Sequence, residues 1–265
     1  MSATATIATE AGHWYTETGE PAYTVPKAKG DGDRPTTITD ARRLGLYPSF
    51  STISKEAYKY NLEVWKIDQA IMAALTLPRN PGELEADWIK RVKFDARETG
   101  QKAADKGTAI HTAIEQVLLR QPVDPVWKAH AEEGLKAAAI LVGHQTWAAE
   151  KSYCDPELGY GGRVDLYSEG DIPALVDFKS KDFTDPHKVG LYDEHLMQLA
   201  AGRRGLRLPE NTRCAIVFVS RLQPLSCLLE ISKAEEKKGW EMFRNLLAYW
   251  QAKNDYPNSW KRRNA

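Results

Sequence analysis

Residues 174–181, ALVDFKSK, place a carboxylate, Asp177, and an ammonium, Lys179, two positions apart in an otherwise apolar run. In a strand, alternate side chains share a face, so Leu175, Asp177 and Lys179 point one way and Val176 and Phe178 the other. Taken alone, such a pair reads as an edge-strand ion pair of little energetic worth. The preceding segment changes the weighing. In GRVDLY, Asp165 is expected to share a face with Arg163 and Tyr167, and the turn SEGDIP brings Asp165 beside Asp177. Two carboxylates in a partly dry cleft repel each other unless they share a proton or a cation. A hard divalent ion, Mg²⁺ or Mn²⁺, resolves that conflict and keeps several of its waters. Lys179 then points at the same cavity, positioned to orient or help deprotonate a water, its pKa lowered by the cation. The chemistry this set serves is metal-assisted hydrolysis of a phosphodiester.

The elements that must hold these residues follow from periodicity. WAAEKSYC, GYGGRVDLY and PALVDFKSK alternate with a period of two and read as strands; CAIVFVSR and LSCLLEIS read as a second strand pair. DEHLMQLAAGRRGLRL between the two sets, and KAEEKKGWEMFRNLLAYWQAKN after them, read as helices. Ahead of the strands, helical spacing predicts a helix after YPSFSTI with Ser54 as its N-cap. Two more are expected in NPGELEADWIKRVKFDARETGQKAADKGTAIHTAIEQVLLRQP, the second over about 96–119, and another in DPVWKAHAEEGLKAAAILVGH. Tyr58, Leu62 and Trp65 fall at helical spacing and are expected in the core in preference to stacking bases. Helices, three strands, a helix, two strands and a helix make an α/β sandwich with helical material in front.

A chain that is 42% hydrophobic and 27% charged has the balance of a globular protein with a real core. Lys plus Arg and Asp plus Glu both number 36, so bulk charge neither requires nor excludes a nucleic-acid partner. Cys154, Cys214 and Cys227 are scattered, which suggests neither a disulfide framework nor a closed zinc site. With no apolar run of membrane-spanning length and no leader-like start, a cytoplasmic protein without membrane contact is expected. Residues 1–43, with PKAKGDGDRPTT and no sustained period, are expected to be a flexible arm outside the core. The remaining boundaries are 44–146 for the helical region with its histidine, 147–255 for the strand-bearing core and 256–265 for a basic tail.

GRVD followed twelve residues later by VDFKSK resembles the core signature of the PD-(D/E)XK nuclease superfamily, and KGTAIH upstream resembles the G-T-x-x-H motif of its RecB-like branch. YPSFSTI resembles the P-S-V-T motif of phage-type exonucleases and of the mitochondrial genome maintenance exonuclease, so the resemblance covers roughly 44–250. It implies a restriction-endonuclease-like core, a central mixed sheet flanked by helices, with an N-terminal helical addition. It also implies a metal-dependent exonuclease acting on DNA ends, single- or double-stranded, in recombination, repair or phage replication. The setting would be the cytoplasm of a bacterial or phage-infected cell. A recombinase or single-strand-binding protein is a candidate partner.

The same resemblance makes His111, Asp165, Asp177 and the backbone carbonyl of Phe178 the ligands of one or two Mg²⁺ or Mn²⁺ ions, with Lys179 as the catalytic lysine. Gln198 matches the glutamine of a Q-x-x-x-Y motif that supports the site and contacts DNA, but Gly202 stands where the tyrosine is expected. Glu150 matches a glutamate common before the second motif, a catalytic or second-metal candidate. Iron-sulfur clusters of some relatives need four cysteines; three misplaced ones argue against a cluster here. Ser49, Ser51, Thr52, Arg203 and Arg204 are candidate DNA contacts, although helix capping and a solvated helix end explain them about as well. Two other readings stay open: a structure-specific or nicking endonuclease with the same site, and a DNA-end-binding module that has lost hydrolysis.

Overall fold

The computed structural model describes residues 12–143, 146–168 and 170–256. In chain order, β1 (Trp14–Tyr15), β2 (Thr24–Pro26), β3 (Asp33–Pro35), α1 (Ile38–Leu44), β4 (Tyr47–Pro48) and α2 (Phe50–Ser54) lead into α3 (Tyr60–Thr76), α4 (Glu85–Leu118) and α5 (Pro125–Val142). The strands β5 (Ala148–Asp155), β6 (Tyr160–Ser168) and β7 (Ala174–Lys181) follow. Then come α6 (Asp193–Gly205), β8 (Arg213–Ser220), β9 (Ser226–Ile231) and α7 (Lys233–Lys253).

Strands β5 to β9 form one mixed sheet in that spatial order, antiparallel throughout except for the parallel pair β7 and β8. Helix α6 supplies the crossover that a parallel pair requires. Alternation along β7 and β8 builds two apolar layers. Leu175, Ile216 and Phe218 pack with Leu199 of α6 and Phe243 and Leu247 of α7; Val176, Phe178 and Val217 pack with Ile110 and Ile114 of α4 and Leu141 of α5. Because both faces are covered, β8 reads as a continuous apolar run, the mark of a strand buried on both sides. The expected central mixed sheet flanked by helices is therefore present.

Several expectations are corrected. The two helices read between 81 and 119 are one 34-residue helix, α4, because Gly100 and Gly107 do not break it and no proline falls inside it. Ser54 does not cap the long helix: it ends the short α2, whose N-cap is Ser49, and α3 begins after Lys59 with no side-chain cap. Of the residues of α3 only Ala73 is buried, and Tyr58, Leu62 and Trp65 are 77%, 41% and 38% exposed, so they do not pack into the core.

The described part of the N-terminal arm is not outside the core either. Trp14 and Tyr15 are each 2% exposed; β1 pairs with β4, and Trp14 packs edge-on to Trp250 of α7. A capping box between Thr37 and Asp40 starts α1, and Arg34 grips Asp40 with two hydrogen bonds of 2.6 and 2.8 Å. Strands this short leave no period to read. In the expected basic tail Tyr256 is buried, while its KRR triplet at 261–263 lies outside the described residues, as does His144.

Candidate active site

The ladder between β6 and β7 pairs Ser168 with Ala174, Tyr167 with Leu175 and Leu166 with Val176, and ends there. Asp165 and Asp177 hold the next position, where β6 stays with β5 and β7 stays with β8. The backbone N–H of Phe178 donates instead to Asp165 Oδ2 at 2.8 Å. A carboxylate thus satisfies a group that the lost rung would have left unpaired.

The same position reverses the facing of two strands. Val164 packs in the α6–α7 layer and Leu166 in the α4–α5 layer, although residues two apart on a regular strand share a face. In β5, Glu150 lies between Ala149, opposite Leu166, and Lys151, opposite Val164, and has φ of 54°. Side chains rarely adopt that left-handed region. The register is the same on both sides, so β5 and β6 change face together at Glu150 and Asp165. The expectation that Arg163, Asp165 and Tyr167 share one face is thereby corrected: Tyr167 packs beside Leu175 in the α6–α7 layer, while Arg163 pairs with Glu150 at 2.7 Å.

Asp177 and Lys179 do share a face, the one covered by α6. Gln198 of α6 donates through Nε2 to Asp177 Oδ1, and its Oε1 accepts from Lys179 Nζ at 2.9 Å. Lys179 Nζ is also 2.6 Å from Asp177 Oδ2, an ion pair without the alignment of a hydrogen bond. Burial pushes the Asp177 carboxyl above its usual range against the pull of Lys179, and the charge of Asp165 adds to the rise. For Lys179, burial favours loss of the proton, but Asp177 and Asp165 outweigh it and the pKa is raised. With these carboxylates as its neighbours the lysine is a charged donor.

His111 reaches the site from α4 on the other side of the sheet. Gly107, one turn earlier, makes this approach feasible: a Cβ there would lie 2.6 Å from Ser180 Oγ of β7. The ring stands perpendicular to Phe178, with Nδ1 3.6 Å from Asp165 Oδ2. Burial lowers the His111 pKa, opposed by Asp165 and reinforced by Lys179 and Arg163, so the imidazole is neutral at neutral pH, the form that ligates metals. Burial likewise pushes Glu150 up to about 7, with Arg163 opposing and Asp165 and Glu115 adding to the rise.

His111, Asp165, Lys179 and Glu150 line one cleft of about 1040 Å³ between α3, α4 and the sheet. Asp177 is 4% exposed and lies behind this wall, joined to it through Lys179. Among the described residues no three His, Cys, Asp or Glu stand together in an arrangement that would hold an ion. The donor types nevertheless suit a hard cation: one imidazole and several carboxylates. Asp177 Oδ2 and Glu150 Oε2 are buried oxygens whose contacts, Lys179 at 2.6 Å and Arg163 at 2.7 Å, are ion pairs without hydrogen-bond alignment, which leaves each a lone pair for a metal ion.

The other sequence candidates are placed elsewhere or otherwise engaged. Arg203 is buried in an ion pair with Glu236 of α7 and donates to the Leu208 carbonyl, so its expected grip on phosphate is corrected. Arg204 lies over the Trp240 ring at 4.5 Å. Ser49 is buried and caps α2, accepting from Thr52 N at 3.0 Å; Ser51 shares a 2.9 Å contact with it, and Thr52 Oγ1 accepts from His13 N. Gly202 has no room for the missing tyrosine: a Cβ there would be 2.9 Å from Val164 Cγ1. Aromatic bulk comes from the sheet instead, where Tyr160 donates to the Ala201 carbonyl at 3.0 Å and Tyr153 packs edge-on to Tyr160. Cleft residues that escaped the sequence reading as site members include Lys102, Lys106, Glu115 and Arg221. Glu115 follows His111 by four residues on α4, a spacing that places both on one helix face.

No protein-family model and no curated protein sequence matches this chain. Among solved structures, an alkaline exonuclease (LHK-Exo) from Laribacter hongkongensis is similar at 15% identity with a TM-score of 0.34, over 73% of this chain and 95% of that one. A protein named SSO0001 is similar at 16% identity with a TM-score of 0.27, over 43% of this chain and 56% of its own length.

Proposed function

We propose that this chain is a divalent-metal-dependent DNA exonuclease of the RecB-like PD-(D/E)XK type, hydrolysing phosphodiester bonds at strand ends. The observation that carries the reading is the convergence of Asp165, Asp177, Lys179 and Gln198 at the point where β6 and β7 part, beside a cleft that His111 enters from the opposite layer. An ion pair built only for stability needs no cleft, no glutamine joining both partners and no histidine facing it.

Asp165, Asp177, His111 and the Phe178 carbonyl would hold Mg²⁺ or Mn²⁺, which when bound supplies Lewis-acid stabilisation of the charge developing on the phosphate. Lys179, held charged by its carboxylate neighbours, donates to a phosphate oxygen or to the attacking water and fixes its orientation. Gln198 keeps Asp177 and Lys179 in register, and Gly107 lets α4 bring His111 close. Neutral His111 offers a nitrogen lone pair without adding positive charge.

The reading is tested with end-labelled linear DNA beside covalently closed circles, in Mg²⁺, Mn²⁺ or EDTA. Metal-dependent loss of linear DNA with circles intact is expected. Circles cut as fast as linear DNA would replace the exonuclease with an endonuclease using the same site. Binding without cleavage in either metal would leave the non-hydrolytic end-binding module.

A further inference from the structure

We infer that the cleft selects a single strand by stacking an unpaired base on Trp65, an inference that rests on the nuclease reading above and names its substrate class. Leu62, Trp65 and Gln69 form one face of α3, spaced by three and four residues, and all line the same cleft as His111, Asp165 and Lys179. Trp65 is not a core residue. It is 38% exposed, and it is held in place where Gly100 of α4 leaves room: a Cβ there would be 3.4 Å from the indole. An indole fixed against a helix with part of its surface open is a platform that needs no rearrangement to receive a flat apolar group.

The charges beside it suit a phosphate backbone. Lys102 and Lys106 line the cleft one turn apart on α4; Arg221, just after β8, also lines it but is held by Asp182 at 2.8 Å and by the Ala103 carbonyl, so the two lysines carry the phosphate contact. Lys102 pairs only with the exposed Glu98 of its own helix, and Lys106 has no ion pair among the described residues. A cationic track with an aromatic side chain is the arrangement that binds single strands without reading sequence. Bases inside a duplex present both faces to their stacked neighbours and a terminal pair has one face open, along the helix axis, so an indole within the cleft is reached most readily by a base that has left the helix. The discrimination therefore favours single-stranded or frayed ends over blunt duplex.

The test is fluorescence anisotropy in EDTA, with a short labelled single strand and the same sequence as a blunt duplex, for wild type, Trp65→Ala and Trp65→Phe. Trp65→Phe retains a ring against Gly100 and guards against a folding artefact. Trp65→Ala is expected to weaken single-strand binding about tenfold or more and leave duplex binding unchanged, with Trp65→Phe within about threefold of wild type. Equal single-strand affinity in Trp65→Ala and wild type would overturn the inference, as would equal losses on both substrates. If wild type still degrades linear DNA in Mg²⁺ in that case, the nuclease reading stands without it. A wild type that neither binds nor cleaves DNA would remove both.

Discussion

Gln198 holds Asp177 and Lys179 at once, donating to the carboxylate and accepting from the ammonium. It comes from α6, whereas its partners come from β7, so the contact fixes the acid and the lysine relative to the helix that covers them. Replacing Gln198 by Ala is expected to lower kcat by about 10- to 100-fold, the usual effect of losing a residue that orients metal ligands. KM for DNA should change little, because the cleft contacts remain. Steady-state kinetics separate the two; a rise in KM with unchanged kcat would assign Gln198 to DNA binding instead.

Gly107 sets the distance between α4 and β7. Gly107→Ala drives a methyl into Ser180 Oγ, and overpacking of this kind costs about 1–3 kcal/mol. The Gly107→Ala, Ser180→Ala double variant removes the oxygen that the methyl meets and is expected to recover most of the loss. Urea unfolding of the single and double variants measures it; since Ala is itself favoured over Gly inside a helix, an uncomplemented loss would point to a contact of α4 other than Ser180.

His195 is buried between Tyr192 and Phe218, and its Nδ1 accepts the Tyr192 N–H at 3.1 Å. Burial lowers its pKa from 6.5 to about 4; Lys179, Lys181 and Lys59 add to the fall and Glu194 opposes it. A histidine depressed in this way stabilises the fold fully above its unfolded pKa, and that stability is lost as pH falls from about 6.5 towards 4. Between pH 7 and 4 wild type is expected to lose about 3 kcal/mol more than His195→Asn. Denaturant titrations at both pH values measure the difference, and parallel pH profiles would contradict it.

The sequence showed most where side chains repeat. The strand runs between 147 and 181 and again near 213–232 alternate or stay apolar along their length, and the structure forms β5 to β9 there. What stayed hidden depended on partners far along the chain. Arg203 reads as a solvated helix end, because nothing near it announces Glu236 on another helix. The apolar residues of α3 have core-like spacing, yet only packing against a second layer would bury them, and α3 packs chiefly against α4. The reversal of facing at Glu150 and Asp165 breaks the very alternation used to assign faces, so residue type marks Asp165 while its side of the sheet does not follow from the period.

The most direct measurement is the rate of nucleotide release from end-labelled linear DNA in Mg²⁺ for wild type, Asp177→Asn and Lys179→Ala. Asp177→Asn is well suited to it, because a buried carboxyl with a raised pKa is exchanged for a neutral group of the same shape and the fold should persist. The account predicts release that EDTA abolishes in wild type and that falls about a hundredfold or more in each variant, with thermal unfolding still cooperative. Release at the wild-type rate in both variants, or release indifferent to EDTA, would contradict it.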